Sequence, residues 1–231
     1  MCTTEKPTPL EIQTRILARN DDTAAHNRMH FLERGIFAVN VMGSPGSGKT
    51  AVLEATARAF NGRGIAALAG DLATDNDAQR LIRAGIRSRA ITTGQACHLD
   101  AELVHHELHH LDLAGIDYLF IENVGNLVCP AVYDLGQSAN VVVLSVTEGE
   151  DKPLKYPTMF AKADLVLVTK IDLLPYLPTD LDAIQDALAR VMPDPLLIPI
   201  SPLGGEGIID WLDWLRMRRN AMLTTTSEVF A

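Results

Sequence analysis

The sequence has 231 residues, of which 47% are hydrophobic, which suits one well-buried domain and leaves too little for two separate cores. Its formal net charge of −9 disfavours nucleic acid as a partner, and its three cysteines are too few for a disulfide framework. The apolar runs fall far short of the roughly 20 residues of a membrane-spanning helix, and the chain opens without a signal-like segment, so we expect a cytoplasmic protein with no membrane contact.

The first part of the chain predicts a leader helix. The opening segment MCTTEKPTPL is polar, contains two prolines and is expected to be disordered. Hydrophobic residues then recur at helical spacing over residues 11–34, before a glycine at position 35. We therefore divide the chain into an N-terminal tail with a leader helix (1–33), a core domain (34–220) and a C-terminal tail (221–231).

Seven short β-rich runs follow, most of them separated by stretches with helical patterning. They are IFAVNVMG, IAALAGD, SRAITTG, YLFIENVG, NVVVLSVTEG, LVLVTKID and PLLIPIS. Several are nearly continuous in Val, Ile and Leu, as expected for strands that helices cover on both faces. This alternation predicts an α/β fold with a doubly wound, mostly parallel sheet, followed by a last helix in GIIDWLDWLRMRR.

The first strand runs directly into GSPGSGKT, which satisfies the G-x-x-x-x-G-K-[ST] pattern and precedes a helical stretch. In such a P-loop the glycines let backbone N–H groups surround phosphates, Lys49 reaches the β and γ oxygens, and the Thr50 hydroxyl can coordinate magnesium. The predicted phosphate-binding residues are Gly43, Ser44, Gly46, Ser47, Gly48, Lys49 and Thr50. The core domain is therefore predicted to bind a nucleoside triphosphate.

Two carboxylates end predicted strands and are therefore expected at the carboxyl edge of the sheet, where open α/β sheets bind ligands. Asp71 ends the second run and Glu122 ends the fourth. With Thr50 they are the predicted magnesium ligands, because hard cations prefer oxygen, and with Lys49 they are the predicted catalytic residues. Gly125 would offer its N–H group to the γ-phosphate. A helix N-cap is the alternative role for Asp71.

The segment TKID is similar to the N-K-x-D element with which GTPases recognise guanine. Asp172 would accept two hydrogen bonds from the base, and the stem of Lys170 would pack on the ring. Thr169 stands where the usual Asn would be, which lowers the expectation of guanine. Ser201, in ISPLGGEG, would help to shape the base pocket.

Six segments together resemble the HypB family, the GTPases that help to insert nickel into nickel-iron hydrogenases. They are GSPGSGKT, GDLATDNDAQR, TTGQACHLDA, ENVGNLVCPAVYDLG, SVTEGEDKPLKYP and TKIDLLPY. The resemblance covers approximately residues 34–207. The urease-accessory G proteins are similar in fold, but their Cys-Pro-His metal motif is not found in this sequence. Many family members also carry several cysteines or histidines near the N-terminus, where this sequence has Cys2.

The resemblance implies hydrolysis of GTP to GDP and phosphate, with magnesium as cofactor, by a P-loop GTPase domain over residues 34–220. It implies a homodimer promoted by GTP and metal, with a nickel or zinc site at the dimer interface formed by Cys97, His98 and Cys129. It also implies two partners, the large subunit of a nickel-iron hydrogenase and an accessory nickel-binding maturation protein. Two other functions stay open, a P-loop ATP-dependent kinase of small molecules and a nucleotide-binding protein with a structural zinc site.

The chemistry of the implied metal site can be judged from its residues. Thiolate and imidazole suit nickel and zinc, but three ligands are one fewer than a closed zinc site needs. Adjacent side chains diverge by about 100° on a helix and about 180° on a strand, so we expect Cys97 and His98 not to face one ion within a single chain. A site shared between two chains, or completed by water, would remove this difficulty. The alternative is that both cysteines are small buried apolar residues.

The segment LDAELVHHELHHLDL contains two histidine pairs at i,i+4 spacing on a predicted helix, His105 with His109 and His106 with His110. Such pairs can chelate nickel or zinc weakly. A solvated helix face is the interpretation that the pattern favours, and metal binding stays open.

Overall fold

The computed structural model describes residues 8–94 and 96–229, so Cys2 and most of the segment predicted to be disordered lie outside the described residues. The helices are α1 Pro9–Glu33, α2 Lys49–Ala59, α3 Asn76–Arg83, α4 Ala101–Leu108, α5 Lys152–Lys155, α6 Pro157–Ala161, α7 Leu181–Ala189 and α8 Ile208–Val229. The strands are β1 Phe37–Gly43, β2 Ile65–Asp71, β3 Arg87–Thr92, β4 Tyr118–Glu122, β5 Ala139–Ser145, β6 Leu165–Thr169 and β7 Leu197–Ile200.

Every predicted β-rich run overlaps one of these strands, which confirms the α/β fold. In the described part of the chain the strands form one seven-stranded sheet in the order β3-β2-β4-β1-β5-β6-β7, and all neighbouring strands are parallel. The chain therefore winds outward on both sides of β1. The carboxyl end of β1, where the winding changes direction, is the place at which such sheets bind ligands.

The central strands are buried because helices cover both faces of the sheet. Alternate residues of β1 point to opposite layers, as a strand requires. Val39 and Val41 pack in the cluster that includes Trp211 of α8, whereas Ala38 packs in the cluster that includes Phe31 of α1. The Trp211 indole also donates a hydrogen bond to a hydroxyl of α2, which ties the last helix to the P-loop helix.

Helix α1 includes the region predicted as a leader helix and lies against α4 and the loop before β5. Two buried asparagines fix it there through backbone contacts. The Asn20 side chain accepts a hydrogen bond from Ala101 N and donates one to Asp134 O, while Asn27 Nδ2 donates to Ala101 O and Leu135 O. Because α1 supplies hydrogen bonds that the start of α4 would otherwise lack, it is part of the packed structure.

Helix α8 is longer than predicted. We expected the helix to end by residue 220, but it continues to Val229, so residues 221–229 are helical and not a separate tail. Arg219 pairs with Asp117, and Met222 packs against the core, so tertiary contacts hold this part of the helix. Within the described residues, none of the helices has a stretch both long and apolar enough to cross a membrane.

Candidate functional site

The P-loop, the end of β2, the start of α3 and the segment after β4 line a cavity of about 430 Å³ at the carboxyl edge of the sheet. The loop turns tightly between β1 and α2, and Gly46 and Gly48 have φ angles of 75° and 101°, in the left-handed region that favours glycine. Because α2 begins at Lys49, its first N–H groups and the positive end of its dipole lie at this cavity. The predicted phosphate-binding residues therefore form a cradle for an anion.

Lys49 is buried at the centre of this cradle. Its ammonium group donates hydrogen bonds to Gly43 O at 3.2 Å and Ser44 O at 3.1 Å, which holds it at the turn of the loop. Burial lowers the pKa of Lys49, and the carboxylates of Glu122 and Asp77 act in the opposite direction. The nearby carboxylates favour the charged form of Lys49, and an ammonium group at the start of α2 is suited to bind a polyphosphate.

Three side-chain oxygens come together beside Lys49. The Thr50 hydroxyl lies 2.7 Å from Glu122 Oε1 and 3.0 Å from Asp77 Oδ1. Glu122 is only 3% exposed, and its Oε2 has no hydrogen-bond partner among the described residues. Because an unpaired buried carboxylate oxygen is costly, this group of oxygen donors fits a divalent cation such as magnesium.

Asp71, which we assigned to the same role, lies on the wall of the cavity. Its Oδ1 accepts hydrogen bonds from the N–H groups of Ala73 and Thr74 at 2.9 and 2.8 Å, so it stabilises the turn that follows β2. The backbone N–H of Ala73 is the main cause that lowers the pKa of Asp71. Asp77 occupies the place beside Thr50, and we did not predict it as a candidate cation ligand. Its signal in the sequence is the acidic segment DND directly after the turn.

The burial of Glu122 predicts a pH-dependent stability. Burial raises its pKa from 4.5 to about 7. Between these values the folded state keeps a proton that the unfolded state releases, so this group lowers the free energy of unfolding as pH rises from 4.5 to about 7, by up to about 3 kcal/mol. Glutamine does not titrate, so Glu122→Gln should remove this decrease. The free energy of unfolding of the variant, relative to that of the wild type, should therefore increase as pH rises from 4.5 to about 7.

Denaturant unfolding with a chelator and without nucleotide, at several pH values across this range, measures the difference between the two proteins. Glu102→Gln, which changes an exposed carboxylate of α4, is the matched control. A constant difference between Glu122→Gln and wild type at all pH values would contradict the prediction.

The residues predicted to recognise the base lie at the ends of β6 and β7. The Thr169 hydroxyl donates to Ser47 O at 2.6 Å, and Lys170 Nζ donates to Gly46 O at 2.9 Å, so both contact the P-loop. Asp172 Oδ1 accepts a hydrogen bond from the Ser201 hydroxyl at 2.7 Å. The structure thus brings the TKID segment and the loop of Ser201 together beside the phosphate cradle, and the Thr at position 169 ties this region to the P-loop.

Cys97, His98 and Cys129 meet in a second group, and their ligand atoms all lie within 4.8 Å of one another. The two Sγ atoms are 3.0 Å apart, and Cys97 Sγ lies 3.8 Å from His98 Nδ1. The His98 ring stacks on Tyr133 at a centroid distance of 3.9 Å. Burial lowers the pKa of His98, which favours the neutral imidazole that metals bind. The neighbouring Cys97 thiol is the main cause that raises the pKa of Cys129.

Our expectation that Cys97 and His98 would not face one ion within a single chain is wrong. It assumed that the two residues lie on a helix or a strand. They lie instead in an irregular segment between β3 and α4, where adjacent side chains are free to point the same way. One chain therefore presents all three ligand atoms to one point, although three ligands still leave a position open.

Residues 123–128, which we call the connecting loop, link the phosphate cradle to this thiol group. Gly125 packs directly on the P-loop, since a Cβ at this position would lie 2.9 Å from Pro45 N and Cγ. Asn126 forms a bridge with Gly43, and its Nδ2 donates to Cys97 O at 3.2 Å. Cys129 follows the loop directly. A displacement of the connecting loop would therefore move a residue at each site.

The chain is also similar to known proteins in sequence and in fold. The sequence profile described as CobW/HypB/UreG, nucleotide-binding domain, matches residues 37–198. The Azotobacter vinelandii protein called hydrogenase maturation factor HypB is 48% identical over 93% of this chain and 71% of its own length.

Two solved structures are also similar. HypB from Helicobacter pylori in complex with nickel has a TM-score of 0.84 and 38% identity over 88% of this chain and 96% of that chain. Hydrogenase maturation factor HypB from Archaeoglobus fulgidus has a TM-score of 0.81 and 40% identity over 88% of this chain and 100% of that chain.

Proposed function

The chain belongs to the HypB family of hydrogenase maturation factors, and from this premise we propose that it hydrolyses GTP and uses the nucleotide state to control nickel binding. The observation that carries the proposal is the connecting loop, because it contacts the P-loop through Gly125 and the backbone of Cys97 through Asn126. A phosphate site and a metal-ligand group that share one short loop can exchange conformational free energy.

The phosphate cavity supports GTP as the substrate. Lys49 and the N-terminus of α2 would stabilise the charge that develops on the β and γ oxygens while water displaces GDP from the γ-phosphate. Thr50, Asp77 and Glu122 would hold magnesium, which neutralises phosphate charge, and Asp71 on the cavity wall would act through a bound water. Asp172, held by Ser201, would accept the hydrogen bonds of guanine.

Nickel is the proposed cargo. Cys97, His98 and Cys129 would supply two thiolates and one imidazole, and zinc would suit the same donors. The fourth ligand would come from water or from a second copy of the chain. Exposed apolar side chains near the ligands support a homodimer, since Val128 and Val132, on either side of Cys129, are 56% and 41% exposed. The dimer would form with GTP and metal, because ligands that bind the dimer preferentially stabilise it.

The proposed destination of the nickel is the large subunit of a nickel-iron hydrogenase, with an accessory nickel-binding maturation protein as a second partner. An ATP-dependent small-molecule kinase would share the P-loop but should prefer adenine, so competition between GTP and ATP separates it from this proposal. A nucleotide-binding protein with a structural zinc site should release no phosphate. Measurement of phosphate release from GTP therefore tests the second alternative.

The proposal predicts that nickel binds with different affinity in the two nucleotide states. We expect the nickel dissociation constant to differ by about 5- to 150-fold between the protein with GDP and the protein with a non-hydrolysable GTP analogue. Linkage requires that nickel change the relative affinity for the two nucleotides by the same factor. Calorimetric titration with nickel in each state measures both effects.

Two variants separate ligand loss from loss of coupling. Cys129→Ala should weaken nickel binding and leave GTP binding nearly unchanged, since its thiol belongs to the metal group and not to the phosphate cavity. Asn126→Ala keeps all three ligands but removes the hydrogen bond to Cys97 O, so it should reduce the difference between the nucleotide states. Glu102→Gln, which changes an exposed carboxylate outside both sites, is the control. Equal nickel affinity of the wild type in both states would refute the coupling.

A further inference from the structure

A second group of ligand atoms lies between α1 and α4, away from the thiol group. It contains four histidines, two from each side, which we call the α1–α4 histidine group: His26, His30, His105 and His109. The His105 ring lies 5.0 Å from the His26 ring and 4.7 Å from the His109 ring, measured between centroids. His30 and His109 line the same surface cavity.

The protonation of His105 follows from its contact with α1. His105 Nδ1 lies 3.0 Å from Asn27 Oδ1. Asn27 is fully buried and donates its amide hydrogens to Ala101 O and Leu135 O, so its oxygen is the atom that faces His105 and can only accept. His105 Nδ1 must therefore carry the proton. In the neutral ring this leaves a lone pair on Nε2, the arrangement by which proteins orient histidine ligands of metals.

A second imidazole nitrogen lies close to the lone pair on His105 Nε2. His109 Nε2 lies 3.2 Å from His105 Nε2. Two nitrogens bound at 2.0–2.1 Å to one tetrahedral ion lie about 3.3 Å apart, so this pair has the spacing of two ligands of one ion. Without metal, His109 donates its Nε2 proton to His105; with metal, that proton moves to Nδ1 of the same ring or to water.

Helix α1 adds a further imidazole to the group. His30 Nδ1 is buried and has no hydrogen-bond partner among the described residues. Burial is the main cause that lowers the pKa of both His30 and His105. An unpaired buried imidazole nitrogen is costly unless something binds it.

We propose that the α1–α4 histidine group is a second metal site, in which His105 and His109 chelate one nickel or zinc ion with an additional imidazole from α1. This site does not depend on the proposed function of the thiol group, because it shares no residue with it. It is also outside the connecting loop, so its metal affinity should be the same with GDP and with a GTP analogue.

The neighbouring pair His106 and His110 provides an internal comparison. These residues have the same i,i+4 spacing and, like His109, both are exposed, but their ring centroids are 5.2 Å apart. His106 Nδ1 contacts Glu107 at the surface and no buried amide. Because orienting partners contribute about 10- to 100-fold in metal affinity, the pair oriented by Asn27 should bind nickel at least about 10-fold more tightly than this second pair.

The test uses the full chain, without an added histidine tag, in a Cys97→Ala/Cys129→Ala background that removes the thiol ligands. Calorimetric titration with nickel chloride, and separately with zinc chloride, should give one ion per chain. His109→Ala should abolish this binding or weaken it at least about 10-fold, because it removes one of the two chelating nitrogens. It keeps the His105–Asn27 hydrogen bond, so the fold should be preserved. His110→Ala should leave binding unchanged.

Three results would overturn the inference: no binding in the cysteine-free background, equal binding by His109→Ala, or equal weakening by His109→Ala and His110→Ala. The last result would indicate nonspecific binding by surface histidines. A titration of His109→Ala with both cysteines present reports on the thiol group alone. Failure of the histidine site and failure of the proposed nickel site are therefore distinguishable.

Discussion

Replacing Asp172 with asparagine is expected to change the nucleotide preference of this protein from GTP to XTP. The Asp172 carboxylate is positioned by the Ser201 hydroxyl, which in turn accepts a hydrogen bond from Gly204 N at 3.1 Å. Guanine donates two hydrogen bonds to such a carboxylate, whereas xanthine presents an oxygen in place of the exocyclic amine. An asparagine amide offers one donor and one acceptor, which match the xanthine edge and leave guanine unsatisfied.

The expected change in the ratio of GTP to XTP affinity is on the order of 10⁴-fold. A ligand that leaves the buried hydrogen-bonding groups of a site unpaired binds more weakly than the matched ligand by about this factor. Competition binding with GTP, XTP and ATP measures it. Asp182→Asn makes the same chemical change in the first turn of α7 and should leave the preference unaltered. If Asp172→Asn keeps the GTP affinity of the wild type, the assignment of the base site is wrong.

Replacing Lys49 with alanine is expected to lower the rate of GTP hydrolysis by at least about 10²- to 10³-fold, the effect of removing one fixed charge or donor from a transition state. Lys49 is buried and held in place by two carbonyl groups of the P-loop. Because it needs no rearrangement to meet the β and γ oxygens, its loss removes charge stabilisation that a solvent ion cannot restore.

Single-turnover hydrolysis separates this effect from weaker binding, since saturating GTP compensates for a lower affinity. Lys155→Ala, which removes an exposed lysine paired with Asp151, is the control for the change in net charge. If the Lys49→Ala protein hydrolyses bound GTP at the wild-type rate, Lys49 of the P-loop does not stabilise the transition state of hydrolysis.

Local sequence patterns were sufficient for the sheet and the phosphate cradle. The strands β1, β4 and β6 are nearly continuous apolar runs with both faces buried, so their hydrophobicity identifies them without tertiary information. The P-loop is a contiguous motif whose glycines and lysine act within a few residues of one another. The positions of Lys49 and Thr50 could therefore be predicted from eight residues.

Features that depend on tertiary contacts were harder to predict. The convergence of Cys97 and His98 results from an irregular segment, for which sequence periodicity gives no information. Asp77 reaches Thr50 only because α3 packs beside α2, and the last turns of α8 depend on Met222 and Arg219 contacting other elements. Asn27 fixes the proton of His105 through a contact between α1 and α4, and a contact between two helices distant in sequence cannot be predicted from either segment alone.

The contact of Gly125 with Pro45 also has an evolutionary consequence. Glycine is required at position 125 by its neighbour and not by its own backbone, since any Cβ there would meet the Pro45 ring at 2.9 Å. The backbone nitrogen of residue 45 is as close to that Cβ as the ring carbon is, and it stays in place whatever side chain position 45 carries. Replacing Pro45 would therefore not make room for a larger residue at position 125, and Gly125 should persist among descendants of a common ancestor even where Pro45 has changed.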